Sequence, residues 1–200
     1  MYFISHADVL IDPDIPVPEW GLSAIGKSRH HRFNEIALRL GITEIYSSDE
    51  QKSIDAADIL SGGLGIEFQI VPQLHENDRS STGYLQSLEF EKTADEFFQH
   101  PNESIRGWES AADAQCRIVS AIVTILKHSD ADGNIAVLSH GGVGALLMCK
   151  LLNIPITRKM DQPGSGGGHY FTFNAQSWSL IHGWKDISSP PRESNGEHHE

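Results

Sequence analysis

The sequence predicts an α/β fold: a three-layer α/β/α arrangement around a mostly parallel central sheet. Three observations carry this. Ile135, Ala136, Val137 and Leu138 form an unbroken apolar run, as in a strand covered on both faces. Gly141 and Gly142 follow it, and then Val143, Leu146, Leu147, Leu151 and Leu152 recur at the spacing of a packed helix. The beginning of the chain repeats the first half of that pattern, because Tyr2, Phe3 and Ile4 run directly into Ser5 and His6. Two histidines, His6 and His140, thus stand at the carboxyl ends of apolar strands, where open α/β sheets bind ligands.

The remaining elements can be placed in order. After the first strand, prolines at 13, 16 and 18 keep residues 12–18 out of helix. Ser23 suits the N-cap of a helix over 24–40, with Ile25, Phe33, Ile36, Ala37 and Leu40 on one face. Lys27, Arg29, His30, His31 and Arg32 read as its solvated side. A second strand is expected over 43–46. Ser47 and Ser48 then cap a helix that has Asp49 and Glu50 in its first turn, carries Lys52, and stops at Gly62 and Gly63. A third strand over 68–71 leads to the dense polar stretch 75–83, either an exposed loop or part of a site. A helical insertion follows over 84–104, packed through Phe90, Phe97 and Phe98, and a long helix over 104–127. A turn at 130–133 leads into the central strand. Beyond residue 152 come a glycine-rich loop at 164–168 and two segments, 169–173 and 178–182, expected as edge strands. One domain over 1–188 accounts for this pattern, with a disordered polar tail over 189–200 whose His198 and His199 belong to a solvated end.

Composition excludes several classes. No apolar run approaches the ~18–20 residues that cross a bilayer, and the first residues lack the basic and long apolar regions of a signal peptide. A soluble, cytoplasmic protein is expected. A formal charge of −12 argues against nucleic acid or an anionic membrane as partner, so an anionic ligand needs a local positive site. The start of the helix after His140 offers N–H groups and a positive dipole end for such an anion. Cys116 and Cys149 both fall in expected helices, which suits buried packing rather than a disulfide or a metal site. Nothing in the pattern specifies an oligomeric state.

Read together, the motifs resemble those of the histidine phosphatase superfamily, the phosphoglycerate mutase-like fold. They are Phe3-Ile4-Ser5-His6, Trp20-Gly21-Leu22-Ser23 with Gly26, Tyr46-Ser47-Ser48 leading to Lys52, Leu74-His75-Glu76, Trp108-Glu109, and Val137-Leu138-Ser139-His140-Gly141-Gly142. The resemblance implies a phosphomonoester hydrolase rather than a mutase, acting on a small phosphorylated molecule or a phosphoprotein, with no cofactor and no metal. It implies His6 as nucleophile and His140 as a phosphoryl-stabilising group. Glu76 is implied as the acid, with Asp78 as a second candidate. Ser5, Ser23, Lys52, Arg79 and Gly141 are the corresponding substrate-binding positions. The insertion and the loop at 155–168 are implied to border the pocket.

The chain departs from the family pattern where that family places arginine, having Ser5 before the nucleophile and Lys52 on the following helix. A lysine offers phosphate a point charge and a serine only a hydroxyl, whereas arginine offers a planar fork. Arg79 is either the replacement guanidinium or one half of a surface ion pair with Asp78 or Glu76. Two functional readings therefore stay open: a phosphatase, or a phosphatase fold with impaired turnover that binds a phosphorylated ligand or regulatory partner.

Overall fold

The structure, a computed structural model, describes residues 1–129 and 133–189. Six strands form one sheet in the order β3-β2-β4-β1-β5-β6: β1 (Tyr2–Ser5), β2 (Ile42–Ser47), β3 (Phe68–Ile70), β4 (Asn134–Ser139), β5 (His169–Asn174) and β6 (Ser179–Asp186). The first four are mutually parallel, while β5 runs antiparallel to β1 and β6 antiparallel to β5. Five helices, α1 (Ala24–Ala37), α2 (Gln51–Leu64), α3 (Ser87–Gln99), α4 (Ala111–His128) and α5 (Gly141–Leu151), complete the α/β fold.

Alternation along the strands builds the layers. Phe3 and Val137 point to one face and pack with Ile118, Ile122, Val143 and Leu147 of α4 and α5. Ile4, Ala136 and Leu138 point to the other and pack with Phe33, Ala56 and Leu60 of α1 and α2. Outside α5, the insertion packs Phe97 and Phe98 of α3 with Trp108, Ala145 and Leu146. The register then decides what meets at the sheet's carboxyl edge. Ser5 pairs with Ser139, and His6 N–H donates to the Ser139 carbonyl at 3.0 Å. His6 and His140 consequently leave neighbouring strands at the same level.

Several element boundaries differ from the expected ones, each for a local reason. α1 stops at Ala37 rather than 40, because Arg39 and Leu40 donate to the carbonyls three residues back and Gly41, at φ +60°, turns the chain into β2. α2 runs through Gly62 and Gly63 to a left-handed Gly65. Gly63 is there for packing, since a Cβ on it would lie 2.2 Å from Asn34 Nδ2 on α1. α4 begins after Ser110, whose hydroxyl accepts from Asp113 N–H; Arg106 and Gly107, both at positive φ, break the chain before it. β5 is an interior strand between β1 and β6, not an edge. Cys149 is buried as expected, but Cys116 is exposed. The turn expected at 130–133 lies mostly, and the polar tail almost wholly, outside the described residues. Among the described residues, no helix is long and apolar enough to cross a membrane.

Candidate active site

The His6 and His140 rings face each other edge to face, with centroids 5.2 Å apart. His6 Nδ1 lies 2.9 Å from the Ala7 carbonyl, which can only accept, so Nδ1 carries the proton and Nε2 keeps its lone pair. The Ala7 peptide is held in turn: its N–H donates to Nε2 of His30 at 3.1 Å. Burial, with help from the Lys52 charge, pushes the His6 imidazole down to about 4, and burial with nearby charge pushes His30 down to about 3. The expected solvated side of α1 is thus only partly solvated. His30 is buried, and Arg29 donates to the carbonyls of Gly166, Gly167 and Gly168 while pairing with Asp8 and Asp186. That staple presses the glycine-rich loop onto His6, where Gly168 N–H donates to the His6 carbonyl at 2.8 Å. Gly167 sits at φ +62°, where a Cβ would come within 2.3 Å of the same oxygen.

His140 is fully buried. Its Nε2 lies 2.9 Å from Ser48 Oγ and 3.5 Å from Glu50 Oε1, whereas Nδ1 is buried without a partner among the described residues. Burial lowers this imidazole well below its usual value; Glu50 opposes the shift, and His6, Lys52 and Arg79 add to it.

The acidic groups are built from the loop after β3 and the turn after β2. Arg117 of α4 fixes the first by donating to the carbonyls of Gln73, His75 and Glu76. The Glu76 carboxylate accepts from the N–H groups of Asn77, Gly142 and Val143, each at 3.0 Å. The N-terminal amides of α5 at Gly142 and Val143, expected to meet a phosphate, are therefore occupied by Glu76. Asp78 is exposed and turned to Ser80, whose hydrogen bonds hold its carboxyl below the usual value.

Glu50 went unrecognised in the sequence because it read as a first-turn helix residue. It precedes α2, is buried, and accepts from Glu76 N–H at 2.8 Å and from Lys52 Nζ. Burial pushes its carboxyl up, but His140, Lys52 and the Glu76 N–H more than reverse this and hold it well below the carboxylate range. The Lys52 ammonium is committed to Glu50 and to the Val17 carbonyl at 2.9 Å, so it is not the free phosphate clamp that was expected.

The profile of the histidine phosphatase superfamily (branch 1) matches residues 12–182. The chain belongs to this superfamily. The match includes Glu76 and His140 but begins beyond β1 and His6, where the arginine-free start lies. No curated protein matches the chain by sequence. Solved structures of this fold do. The YhfR protein of Bacillus stearothermophilus is 19% identical with a TM-score of 0.73, the likeness covering 91% of this chain and 93% of that one. A mycobacterial glucosyl-3-phosphoglycerate phosphatase, solved with inorganic phosphate, is 18% identical with a TM-score of 0.72, covering 95% and 99%. A structure titled mycobacterial hydrolase 1 is 18% identical with a TM-score of 0.71, covering 86% and 89%.

Within this histidine phosphatase fold, a cavity of about 800 Å³ opens over His6 and is bordered by Glu76, Arg79, Gly141, Gly142 and Gln162. The insertion walls it with Tyr84, Leu85 and Phe90, and Trp20 and Trp108 line it as well. Arg79 stacks on Phe90 and Trp108, its guanidinium carbon 5.1 and 5.7 Å from the ring centroids, and makes no ion pair among the described residues. Its charge reaches both histidines. The three other expected binding positions play different parts. Ser23 does not border the cavity and spends its hydroxyl on Gly26 N–H as the cap of α1. The hydroxyl of Ser5, fully buried, is held between Gln162 and the His169 backbone. Gly141 borders the cavity, but the side a Cβ would fill is taken by Gln162.

Gln162 and Asp161, from the loop before β5, carry no motif that marks them in the sequence. Burial, with Glu76 and Glu91 nearby, raises the Asp161 carboxyl, so Asp161 is a cavity-wall carboxyl suited to carrying a proton. Among the described residues no cluster of histidine, cysteine and carboxylate groups is arranged to hold a metal ion.

Proposed function

We propose that this chain hydrolyses phosphomonoesters of a small molecule or a phosphoprotein through a phosphohistidine on Nε2 of His6. The observation that carries the reading is the state of His6: neutral at physiological pH, Nδ1–H anchored on Ala7 so that Nε2 keeps its lone pair, and the residue bordering the cavity with its ring edge to face with His140. In the first step Nε2 attacks phosphorus, the ester P–O bond breaks, and the departing alkoxide takes the proton of Glu76 in its acid form. In the second, water attacks phosphorus and loses a proton to Glu76, the P–N bond breaks, and phosphate leaves with His6 restored. Arg79 and His140 meet the charge on the phosphoryl oxygens. Membership of a phosphatase superfamily, and neighbours whose names include a phosphatase, support the reaction class.

One observation favours the second reading, a phosphorylated-ligand binder with poor turnover: Lys52 is neutralised by Glu50 and Ser5 carries no charge. Hydrolysis of p-nitrophenyl phosphate in chelator-treated buffer, compared with His6→Ala, separates the two. Turnover that vanishes in the variant, with an acid-labile phosphoenzyme in the wild type, establishes the hydrolase. Equal background rates over a panel of phosphoesters, together with phosphate binding, establish the binder.

A further inference from the structure

We propose that Gln162 is a phosphoryl-binding residue of this site, a neutral amide donor, and that Ser5 is the residue that positions it. The inference rests on the phosphoryl site assigned above and adds a ligand group to it.

Ser5 is the last residue of β1 and its hydroxyl is fully buried. The oxygen accepts the His169 N–H at 3.0 Å, and its one proton faces two acceptors, Gln162 Oε1 at 2.5 Å and, less closely, the His169 carbonyl at 3.2 Å. The backbone of Gln162 is tied at the same time, its N–H donating to Asp161 Oδ1 at 2.8 Å. With Oε1 facing Ser5, the other end of the planar amide is directed over Gly141. A Cβ built on Gly141 would lie 2.2 Å from Gln162 Nε2. Gly141 is the first residue of α5 and the direct neighbour of His140, and Gln162, Gly141 and His6 all border one cavity. Nε2 has no hydrogen-bond acceptor among the described residues, and it is not one of their fully buried unpartnered atoms.

An NH₂ group held by a buried hydroxyl, opening into a cavity beside the phosphoryl-accepting histidine, is a prepared donor for an oxyanion. The nearby alternatives are already occupied. Glu76 takes the Gly142 and Val143 amides, and Glu50 takes Lys52. The glycine at 141 is explained by the same geometry, since any side chain there would displace the amide. The cavity therefore combines Arg79, in no ion pair among the described residues, with a neutral donor, while Arg158, which also borders it, is paired with Glu91 and Asp95.

The test measures affinity for inorganic phosphate, by ³¹P NMR or calorimetry, and inhibition by orthovanadate. It is applied to wild type, His6→Ala, Gln162→Ala, Gln162→Glu, Ser5→Ala and the Ser5→Ala/Gln162→Ala double variant. Gln162→Ala is expected to weaken both anions about tenfold, the scale of one hydrogen bond to a charged acceptor. Gln162→Glu keeps the bond to Ser5 but replaces the donor with an acceptor, and is expected to weaken them further. Ser5→Ala is expected to weaken them by about two- to fivefold, and the double variant no more than Gln162→Ala alone, because Ser5 acts through the amide. Thermal midpoints of the two Gln162 variants should match the wild type, so the result does not hang on whether the buried Ser5→Ala folds. Wild type that binds phosphate while both Gln162 variants bind it within twofold overturns the Gln162 assignment and leaves the phosphatase reading standing. Wild type that neither binds phosphate nor hydrolyses any ester overturns both.

Discussion

His6 and His140 leave adjacent parallel strands at the same level, yet their surroundings differ, and the proposed mechanism gives them different tasks. His6 borders the cavity, and one backbone carbonyl fixes its proton on Nδ1, away from the reacting side. His140 is sealed, packed against Ser48 and Glu50, with a buried Nδ1 that has no partner among the described residues. Equivalent positions in the sheet thus give one imidazole that borders the cavity, the proposed nucleophile, and one that is enclosed, the proposed phosphoryl-stabilising group. What separates them is the second layer, Ala7 and His30 for one and Ser48, Glu50 and Lys52 for the other.

The largest test of that division is His6→Asn against His140→Asn. The first should remove all phosphoenzyme and lower kcat/KM for an aryl phosphate by at least about 10³-fold. The second should keep a slowly formed phosphoenzyme and lose about 10²-fold, as when one transition-state donor is removed. Equal phosphoenzyme in the two variants would dissolve the distinction. Glu50→Gln comes next, because it leaves the Lys52 ammonium buried and unpaired. It should destabilise by about 3–5 kcal/mol, lowering the thermal midpoint by roughly 10 °C for a chain of this size. A midpoint unchanged in that variant would show that the pair contributes nothing to His140's setting.

A third test exposes the buried histidines together. His30 is held down to about 3, His6 to about 4 and His140 well below its usual value, while the unfolded chain takes up protons near 6.5. Folded values lie below unfolded ones, so the unfolded state binds more protons. Their contribution is full above pH 6.5 and is lost as pH falls from there through the folded values. The slope is at most about 1.4 kcal/mol per pH unit for each histidine. Thermal midpoints from pH 7.5 to 5 should fall on this side, and His30→Gln should flatten the fall. The smallest effect belongs to Arg79→Gln, which should raise KM and weaken phosphate by about tenfold with little change in stability, since the guanidinium rests on Phe90 and Trp108 and is in no ion pair among the described residues.

Much of the fold could be read from the linear pattern because it is written in local periodicity. β1, β4 and α5 lie almost where apolar runs and helical spacing put them, and Ser23 caps α1 as its residue type suggests. Some misplaced boundaries have local causes, as at the end of α1 and the start of α4, and others fall where a distant contact decides. Gly63 looked like a helix end and is instead a packing notch for Asn34. The segment at 169–173 looked like an edge and is covered by β6. Of the proposed site, the two histidines stand out in the sequence because each ends an apolar strand, and Glu76 stands out only through the motif that resembles the family's. Glu50, Gln162 and the stapling role of Arg29 do not, because no motif marks them and the contacts that reveal them are distant: Glu50 to Glu76 spans 26 positions, Arg29 to Gly168 139 and Gln162 to Ser5 157.

By itself, then, the sequence determined the layers and the strand-end positions of the imidazoles, which follow from side-chain spacing along short stretches, and the superfamily, which its motifs resemble. Tertiary structure alone decided which charges are free. Lys52 and Arg79 are both cations in the sequence, but only packing pairs the first with Glu50 and lays the second on two aromatic rings. Electrostatic worth depends on partners and burial, and those are set by long-range contact rather than by neighbours in the chain.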